Sequence, residues 1–389
     1  MPETDNTAPL IYLIAGESSG DNLGAGLIDG IRARCPGARF IGVGGTEMQS
    51  KGFESLFPMS DLSVMGIVEI LPRLWTLLRR IRETAAHARD ARPDIIVTID
   101  SPDFSFRVAR RLKGQGIAMV HYVAPTVWAW RPKRAAKIAG LYDHLLTLFP
   151  FEPPYFEREG LATTFVGHPV IHAKTGDGNR FRQKNGFANA TPILCLLPGS
   201  RHSEVSRLLP VFVKTFQQLR EKIPLLQGII PTVPHLEAEI RQMVQGTHSI
   251  GVVVDPEQKK DALAASTAAL AASGTIALEL AIAGVPSVIA YRVNTLTAMV
   301  ARRMLLIPYM SLVNILLAKE VMPERIQEHC TPDELYGEIL PLLSDGEKRQ
   351  QQLAAFELVR QQLSPENGQP DDIAAQQILK MINDHPKQD

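Results

Sequence analysis

The sequence has little cysteine and no long apolar run. Its three cysteines, Cys35, Cys195 and Cys330, are far apart and odd in number, which argues against a disulfide framework or a zinc knuckle and favours a reducing cytoplasm. No stretch approaches the about 18 consecutive apolar residues that a membrane-spanning helix needs. The first ten residues lack the basic and apolar regions of a secretory signal peptide. A cytoplasmic protein is therefore expected.

The sequence also lacks an excess of charge of either sign. Lys+Arg and Asp+Glu both number 41, so the formal net charge is zero, and a general nucleic-acid binder, which needs many cations, is not expected. The chain has 389 residues, more than the about 250–300 residues at which a single hydrophobic core stops growing. It should therefore divide into domains.

Two series of short, β-branched apolar runs alternate with segments of helical periodicity, as in parallel sheets that are covered on both faces. The runs stand at 10–15, 39–44, 94–99, 118–123, 144–149 and 163–166, and then at 193–197, 225–230, 250–254, 268–272 and 286–291. The pattern predicts an α/β protein with two Rossmann-like parallel-sheet domains facing a cleft, and ligands at the carboxyl ends of the strands.

The domain boundaries follow from a polar, Gly- and Asn-rich stretch at 167–192, which is interpreted as the interdomain connection. The predicted domains are 8–170 and 171–360. The remaining 361–389 form a helical C-terminus, in which a final helix is expected at about 371–384.

The segment AGESSGDNLGAG (15–26) follows the first predicted strand. Its glycines permit a tight turn, and the helix after it offers free N–H groups to an anion or a sugar. The candidate sugar-binding residues are Glu17, Ser18, Ser19 and Gly20. The glycine spacing does not match the dinucleotide fingerprint G-x-G-x-x-G. An ordinary strand-to-helix turn is the alternative.

The segment LPGSRHSEV (197–205) follows the first strand of the second series. Gly199, Ser200 and Arg201 occupy the predicted turn, where backbone donors and a fixed cation suit a diphosphate. The alternative is an ordinary turn in which Ser203 caps the next helix.

The segment ASGTIALELAIAGVPSV (272–288) predicts a second anion site. Ser273, Gly274 and Thr275 begin a helix whose first turn can hold phosphate oxygens. Glu279 lies about 6 Å further along the same helix face, at about 1.5 Å per residue, where its carboxylate can bind a ribose diol. Its apolar neighbours favour a buried Glu279, and a solvated carboxylate is the alternative.

In TIDSPDF (98–104), Asp100 falls just past a predicted strand, and Pro102 opens a helix. A carboxylate at this edge of a parallel sheet can act as a general base on a hydroxyl. Helix capping by Asp100 is an equally weighted alternative, and Asp103 is the competing carboxylate.

The segment 64–82 predicts a helix whose apolar residues cover about half of its circumference, more than an ordinary core-facing helix needs. Arg73 and Arg80 lie opposite, and Pro72 is expected to split the helix. Such a helix can enter the headgroup layer of a membrane, although a deeply buried helix is the alternative. The candidate membrane-contacting residues are Val64, Met65, Ile67, Val68, Leu71, Leu74, Trp75 and Leu78.

Tryptophans and cations adjoin in HYVAPTVWAWRPKR (121–134). Trp128 and Trp130 beside basic residues suit a phosphate or an amphipathic ligand, whereas a surface helix with a buried tryptophan is the alternative. His121 and His168 are interpreted as packing residues. No His/Cys/Asp cluster has the spacing of metal ligands.

Together these motifs resemble the lipid-A-disaccharide synthase family of bacterial GT-B glycosyltransferases, nearly from end to end. The resemblance is carried by 15–27, 64–71, 98–104, 121–134, 149–156 (FPFEPPYF), 165–169 (FVGHP), 196–205 and 272–292.

The resemblance implies an inverting transfer from UDP-2,3-diacylglucosamine to 2,3-diacylglucosamine 1-phosphate (lipid X). It assigns acceptor binding and membrane docking to 8–170, with Asp100 as the base, and UDP-sugar binding to 171–360. Tyr291 and Asn314 are implied to close the UDP pocket. No metal and no cofactor are implied. The resemblance also implies a homodimer that exchanges the 361–389 helix, and peripheral attachment to the inner face of the inner membrane.

Three other functions remain open at this point. A Rossmann oxidoreductase would need the missing G-x-G-x-x-G loop. A non-catalytic nucleotide-sugar-binding protein would keep Glu279 and the 273–275 turn without needing Asp100. A related GT-B enzyme would act on another lipid, such as a peptidoglycan intermediate.

Overall fold

A computed structural model describes residues 8–62, 70–130, 132–294, 298–299 and 303–384. These residues form two compact units. The first unit combines the chain up to Pro169 with the segment from Leu363 onward, and the second is Val170–Gln362. The chain therefore leaves the first unit once and returns to it at the end.

In its described residues, the first unit has a seven-stranded sheet in the order β3-β2-β1-β4-β5-β6-β7, with every pairing parallel. The two central strands, β1 and β4, are completely buried apart from the first residue of β1. Both faces are covered, which explains their continuous apolar runs. The strands are β1 (Leu10–Ala15), β2 (Arg39–Val43), β3 (Glu54–Ser55), β4 (Ile95–Ile99), β5 (Ala118–Tyr122), β6 (His144–Thr147) and β7 (Ala162–Phe165).

Helices cover both faces of this sheet, and the last helix of the chain is among them. They are α1 (Ser18–Arg34), α2 (Thr46–Ser50), α3 (Ile70–Ala91), α4 (Pro102–Leu112), α5 (Val127–Trp130), α6 (Arg134–Ala139), α7 (Pro153–Glu157) and α16 (Pro370–Asp384). As predicted, Pro102 occupies the first turn of α4, where its missing N–H costs no hydrogen bond.

The second unit repeats the architecture with a six-stranded parallel sheet in the order β10-β9-β8-β11-β12-β13. Its strands are β8 (Ile193–Leu197), β9 (Gln227–Pro231), β10 (Ile250–Val253), β11 (Ala268–Ala272), β12 (Ser287–Tyr291) and β13 (Glu324–Ile326). Its described helices are α8 (Gly178–Lys184), α9 (His202–Lys222), α10 (Glu237–Met243), α11 (Pro256–Ala265), α12 (Ile276–Ile282), α13 (Leu312–Leu317), α14 (Pro332–Ile339) and α15 (Glu347–Leu363).

The predicted fold class, two Rossmann-like parallel-sheet units with a helical C-terminus, is confirmed. The sequence reading missed β3 and β13, because each is too short to show a pattern. The polar stretch 167–192 is also more than a connection, since α8 lies within it and packs on α11.

The basic amphipathic segment is only partly described. Val64, Met65, Ile67 and Val68 lie outside the described residues, as do the side chains of Leu71 and Leu74. From Ile70 to Ala91 the chain forms one continuous helix that includes Pro72. The expected break at Pro72 is therefore wrong for the described part, because proline is tolerated in the first turn of a helix.

Helix α16 completes the first unit by packing against α1. Ala374, Ala375 and Ile378 are fully buried, and Arg34 at the end of α1 pairs with Asp372 at 2.8 Å. The two backbones approach closely at Gly30, where a Cβ atom would lie only 2.8 Å from the Asp371 carbonyl oxygen. A glycine is required at this crossing for steric reasons.

We expect Gly30→Val to destabilise the first unit by about 1–3 kcal/mol, because the added side chain forces the two helices apart. Ala33→Val is the matched control, since Ala33 is exposed on the same helix and the new residue has the same helix propensity. Denaturant unfolding of both variants checks this expectation. Equal losses of stability in the two variants would contradict the close packing.

Candidate functional site

The strand order of the first unit changes direction between β1 and β4, which lie side by side with Ala15 opposite Ile99. The carboxyl ends of two such strands open a crevice in parallel sheets, and ligands bind there. The β1–α1 connection and Asp100 both start from this edge. Two motifs that are about 80 residues apart in the sequence are thereby neighbours.

Asp100 and Ser101 form a tight left-handed turn, with φ angles of 53° and 46°. The backbone N–H of Asp100 donates to the Tyr122 carbonyl oxygen at 2.9 Å. Its Oδ1 accepts from the Ser101 N–H at 2.8 Å, and its Oδ2 accepts from the Ser19 hydroxyl at 2.7 Å. Non-glycine residues rarely adopt this conformation, and such strain clusters at functional sites. The contacts fix the direction of the Asp100 carboxylate.

The sequence predicts Gly20 in the connection between β1 and α1. It lies instead within α1 itself, in the first turn of the helix, which begins at Ser18. A Cβ atom at Gly20 would lie 2.9 Å from the Ile99 carbonyl oxygen, and one at Gly16 would lie 2.5 Å from the Ser101 hydroxyl. These glycines let α1 press against the Asp100 turn. Exposed Glu17 and Ser18 stand at the start of the same helix.

Asp21 is a site residue that the sequence reading missed. It is 2% exposed, and its carboxylate accepts the backbone N–H groups of Gly45, Glu47 and Met48 at 2.8, 2.9 and 3.1 Å. It thereby caps α2 and ties the β2–α2 connection to α1. The available signal was an acidic residue in the first turn of a glycine-rich helix.

In the second unit the strand order changes direction between β8 and β11, where Leu197 lies opposite Ala271. Gly199 has a φ of 111° in the connection that follows β8, and α9 begins at His202 with Arg201 in the N-cap position. The alternative in which Ser203 caps this helix is therefore wrong. The predicted diphosphate turn stands at the same edge of the sheet as the 273–275 turn.

Glu204, which the sequence reading also missed, holds this turn. Its Oε2 accepts from the Ser200 N–H at 3.1 Å, and its Oε1 accepts from Nη1 of Arg201 at 2.9 Å. The Arg201 side chain is 76% exposed. The guanidinium is thus aligned at the surface of the turn, with much of it free to meet an anion.

Helix α12 begins at Ile276, directly after the predicted 273–275 turn, and Thr275 stands in its N-cap position without a side-chain capping hydrogen bond. The Ser273 hydroxyl donates instead to the Met310 carbonyl oxygen at 2.8 Å. Gly274 has a φ of 149°, and no atom would approach an added Cβ within 4 Å. The 273–275 turn is therefore open beside Gly274.

Glu279 is half-buried, and the expectation of a buried carboxylate is wrong. Its Oε2 lies 2.9 Å from Nζ of Lys259 on α11, and the two side chains are 37% and 38% exposed. Lys259 could not be predicted as a partner of Glu279, because the pairing joins two separate helices. A partly solvated, cation-paired carboxylate can accept hydrogen bonds from a diol.

Tyr291 ends β12, next to β11 in the sheet, and is half-buried. Asn314 is fully buried. Its amide donates to the Met322 carbonyl and to Glu324, and accepts from the N–H groups of Val321 and Met322. These contacts use its hydrogen-bonding capacity and favour a structural role over the predicted contact with UDP.

Of the two singled-out histidines, His121 is fully buried and His168 is partly buried, which fits the predicted packing role. His121 is 0% exposed, its Nδ1 lies 2.7 Å from the Thr98 hydroxyl, and burial lowers its pKa to about 3. Burial likewise lowers the pKa of His168 to about 4. Neutral imidazoles at physiological pH fit packing, because burial disfavours their charged form.

Helix α3 divides its apolar residues between the core and the surface. Ile81 is fully buried, whereas Trp75 is 74% exposed and Leu78 is half-buried. Arg80, expected on a solvated face, pairs instead with Asp61 and Glu83, both at 2.6 Å, and is only 13% exposed. The exposed cations beside Trp75 are therefore others, such as Arg79.

Two features are absent from the described part of the chain. No helix there combines the length and hydropathy needed to cross a bilayer. No group of three or more His, Cys, Asp or Glu side chains in those residues is arranged to hold a metal ion.

Solved structures share this fold at low sequence identity. UDP-GlcNAc 2-epimerase from Neisseria meningitidis, bound to UDP-GlcNAc, superposes with a TM-score of 0.64 at 12% identity, covering 96% of this chain and 99% of that one. At this identity the likeness shows the fold alone, and it agrees with the GT-B class expected from the sequence.

Sequence comparisons are more specific. The family model described as lipid-A-disaccharide synthetase matches residues 11–378. The lipid-A-disaccharide synthase of Rhodospirillum centenum is 48% identical over 380 residues, which cover 96% of this chain and 94% of that protein. The corresponding protein of Gluconobacter oxydans is 45% identical over 378 residues, with coverages of 96% and 91%. The chain belongs to the lipid-A-disaccharide synthase family.

Proposed function

We propose that this chain transfers a diacylglucosamine from UDP-2,3-diacylglucosamine to the 6-hydroxyl of 2,3-diacylglucosamine 1-phosphate. The products are a β-1′,6-linked disaccharide 1-phosphate and UDP. The observation that carries the proposal is the Asp100 carboxylate, which Ser19 and Ser101 hold at the switch point of the first sheet in a member of this family.

Asp100 acts as the general base. Its carboxylate takes the proton of the acceptor hydroxyl while that oxygen attacks the anomeric carbon of the donor. The bond from this carbon to the diphosphate oxygen breaks, and its electron pair leaves with UDP. A single displacement inverts the configuration and needs one base. The Ser19 hydroxyl orients the carboxylate during this transfer.

The second unit binds the donor. The 199–201 turn stands at the start of a 21-residue helix, where the helix dipole favours an anion. The Arg201 guanidinium stabilises the negative charge that grows on the departing diphosphate. Ser273, Gly274 and Thr275 line the phosphate site at α12, Glu279 binds the ribose diol, and Tyr291 borders the pocket.

Both substrates of this reaction carry acyl chains, and removal from a bilayer costs about 0.8 kcal/mol per buried CH₂. The enzyme must therefore meet them at a membrane surface. We assign this contact to α3, because Trp75 is exposed beside basic residues. Peripheral attachment to the inner face of the inner membrane follows as part of the proposal. The family resemblance adds a proposed homodimer, in which α16 of each chain would take on its partner the place that it occupies here on α1 of its own chain.

We expect Asp100→Asn to lower turnover about 10²–10⁴-fold, because the amide cannot accept the proton. UDP binding should be retained, since the second unit holds the nucleotide. Release of UDP from the two lipid substrates measures turnover, and calorimetry measures UDP affinity. Asp103→Asn is the control, because Asp103 is the exposed neighbouring carboxylate and should be dispensable.

Two outcomes would contradict this assignment. Wild-type turnover in Asp100→Asn would exclude Asp100 as the base. A wild-type protein that binds UDP but forms no disaccharide would favour the second candidate, a nucleotide-sugar-binding protein without catalytic activity.

We expect Arg201→Ala to weaken UDP binding about 10–100-fold, because a hydrogen bond to a charged group contributes about 1.5–3 kcal/mol. Arg207→Ala is matched to it, since Arg207 is an exposed arginine of the same helix that bonds only the Ser203 carbonyl. Calorimetric titration with UDP distinguishes them. An equal affinity in both variants would remove Arg201 from the donor site.

We expect Trp75→Ser to reduce the fraction of protein that sediments with vesicles containing anionic lipid, because an interfacial tryptophan is lost. Leu225→Ser is the control, since Leu225 is 72% exposed but belongs to the second unit. If both variants bind vesicles as the wild type does, α3 is not the docking surface.

A further inference from the structure

Two motifs that the proposed reaction does not use meet at a buried carboxylate in the first unit. Glu152, from the 149–156 motif, is 2% exposed. Its Oε1 accepts from the indole Nε1–H of Trp128 at 3.2 Å. Its Oε2 accepts from the N–H groups of Leu148 and Phe149 at 3.2 and 3.1 Å. The carboxylate thereby joins the segments that follow β5 and β6.

Aromatic packing makes this junction rigid. Trp128 is 6% exposed and meets the Phe151 ring at right angles, with centroids 5.2 Å apart. Phe151 stacks on Phe149 at 5.4 Å. Of the two interpretations of this motif, the one with a buried tryptophan therefore holds for Trp128. Its ring anchors the segment 123–130 to the protein interior.

The other end of this segment adjoins the proposed base. The Tyr122 carbonyl accepts the backbone N–H of Asp100. The next residue, Val123, has a φ of 84° and donates its N–H to the Leu146 carbonyl at 3.0 Å. A β-branched residue in this region is a strained outlier that persists only when its surroundings hold it.

We propose that Glu152 is a positioning residue of the transfer reaction. By holding Trp128, it fixes the segment 123–130, and the fixed segment keeps the strained Val123 turn and the Tyr122 carbonyl in place against the backbone of Asp100. This inference rests on the proposed function, because it presumes that Asp100 is the base. Glu152 acts through the segment and touches no substrate.

The chemistry of the junction explains why a carboxyl group is used. Each of its three partners is an N–H donor, so the site requires acceptors only. Burial raises the pKa of Glu152, and the hydrogen bonds from Phe149, Trp128 and Leu148 oppose that rise because they favour the ionised form. Glutamine has the same shape, but its NH₂ group would face one of the donors and disrupt the contact.

The test uses three variants, which are Glu152→Gln, Trp128→Phe and the double variant that combines them. Each is compared with a control variant, Glu157→Gln. Glu157 is the control because it is an exposed glutamate at the other end of α7. We expect Glu152→Gln to lower kcat at least tenfold, with the UDP dissociation constant and the donor KM within twofold of the wild type. Glu157→Gln should leave kcat unchanged.

Trp128→Phe keeps an aromatic ring but removes the N–H donor, so it also lowers kcat. The double variant should be no slower than Glu152→Gln, because both changes break the same contact. Effects on kcat that multiply in the double variant would show that the residues act separately and would overturn the inference.

A role in stability alone predicts a different pattern. It would lower the melting temperature or the yield, with kcat per folded enzyme within twofold of the wild type, and that result overturns the inference. If Glu152→Gln does not fold, Trp128→Phe decides the question by the same kcat criterion, because the carboxylate keeps its two backbone partners. Absence of wild-type disaccharide synthesis would instead overturn the proposed function and this inference with it.

Discussion

The pairing of β1 with β4 and of β8 with β11 is the constraint on which the rest of the structure depends. In each sheet the strand order runs outward in opposite directions from these two neighbours. The connections that follow them therefore leave the same edge of the sheet with no helix between them. Residues that are distant in the sequence thus lie close together at that edge. The register places Ala15 opposite Ile99 and Leu197 opposite Ala271. The two connections of each pair therefore start within one residue of each other along the strands.

The loops at these edges have a shared problem, because backbone N–H groups beyond a strand end have no partner in the sheet. The structure solves it repeatedly with carboxylates. Asp21, Glu152, Glu204 and Glu324 each accept one or more backbone N–H groups from a connection that follows a strand or precedes a helix. These four acids therefore stabilise the backbone of the connections. Asp100, which accepts from one N–H and one hydroxyl, differs from them in its position on the strained turn.

Much of the fold could be predicted from the sequence, because buried parallel strands leave a pattern of apolar runs. β1, β8 and β11 begin and end where the sequence indicates. The pattern was silent for β3 and β13, which contain two and three residues. Strands this short bury too little to require an apolar run.

The sequence indicated which connections form the candidate site, but not the contacts within them, and Asp21 and Glu204 were missed. The meeting of Ser19 with Asp100 follows from sheet order, which apolar periodicity does not specify. The pairing of Glu279 with Lys259 depends on how two helices pack, and no local rule encodes it. Asn314 shows the opposite limit, since a polar residue that the resemblance places at the UDP pocket has its hydrogen bonds satisfied by its own chain. Sequence spacing identifies chemical types, whereas packing decides which groups remain accessible.

The return of α16 to the first unit has a consequence for biosynthesis. The ribosome synthesises the chain from its amino end. The first sheet therefore emerges while α16, the helix that covers α1, has not yet been synthesised. During that interval the α1 surface around Gly30 lacks its cover, and the second unit, continuous in sequence, can fold before the first is complete. The first unit can therefore be completed only after α16 has been synthesised, whereas the second unit does not have to wait for that helix.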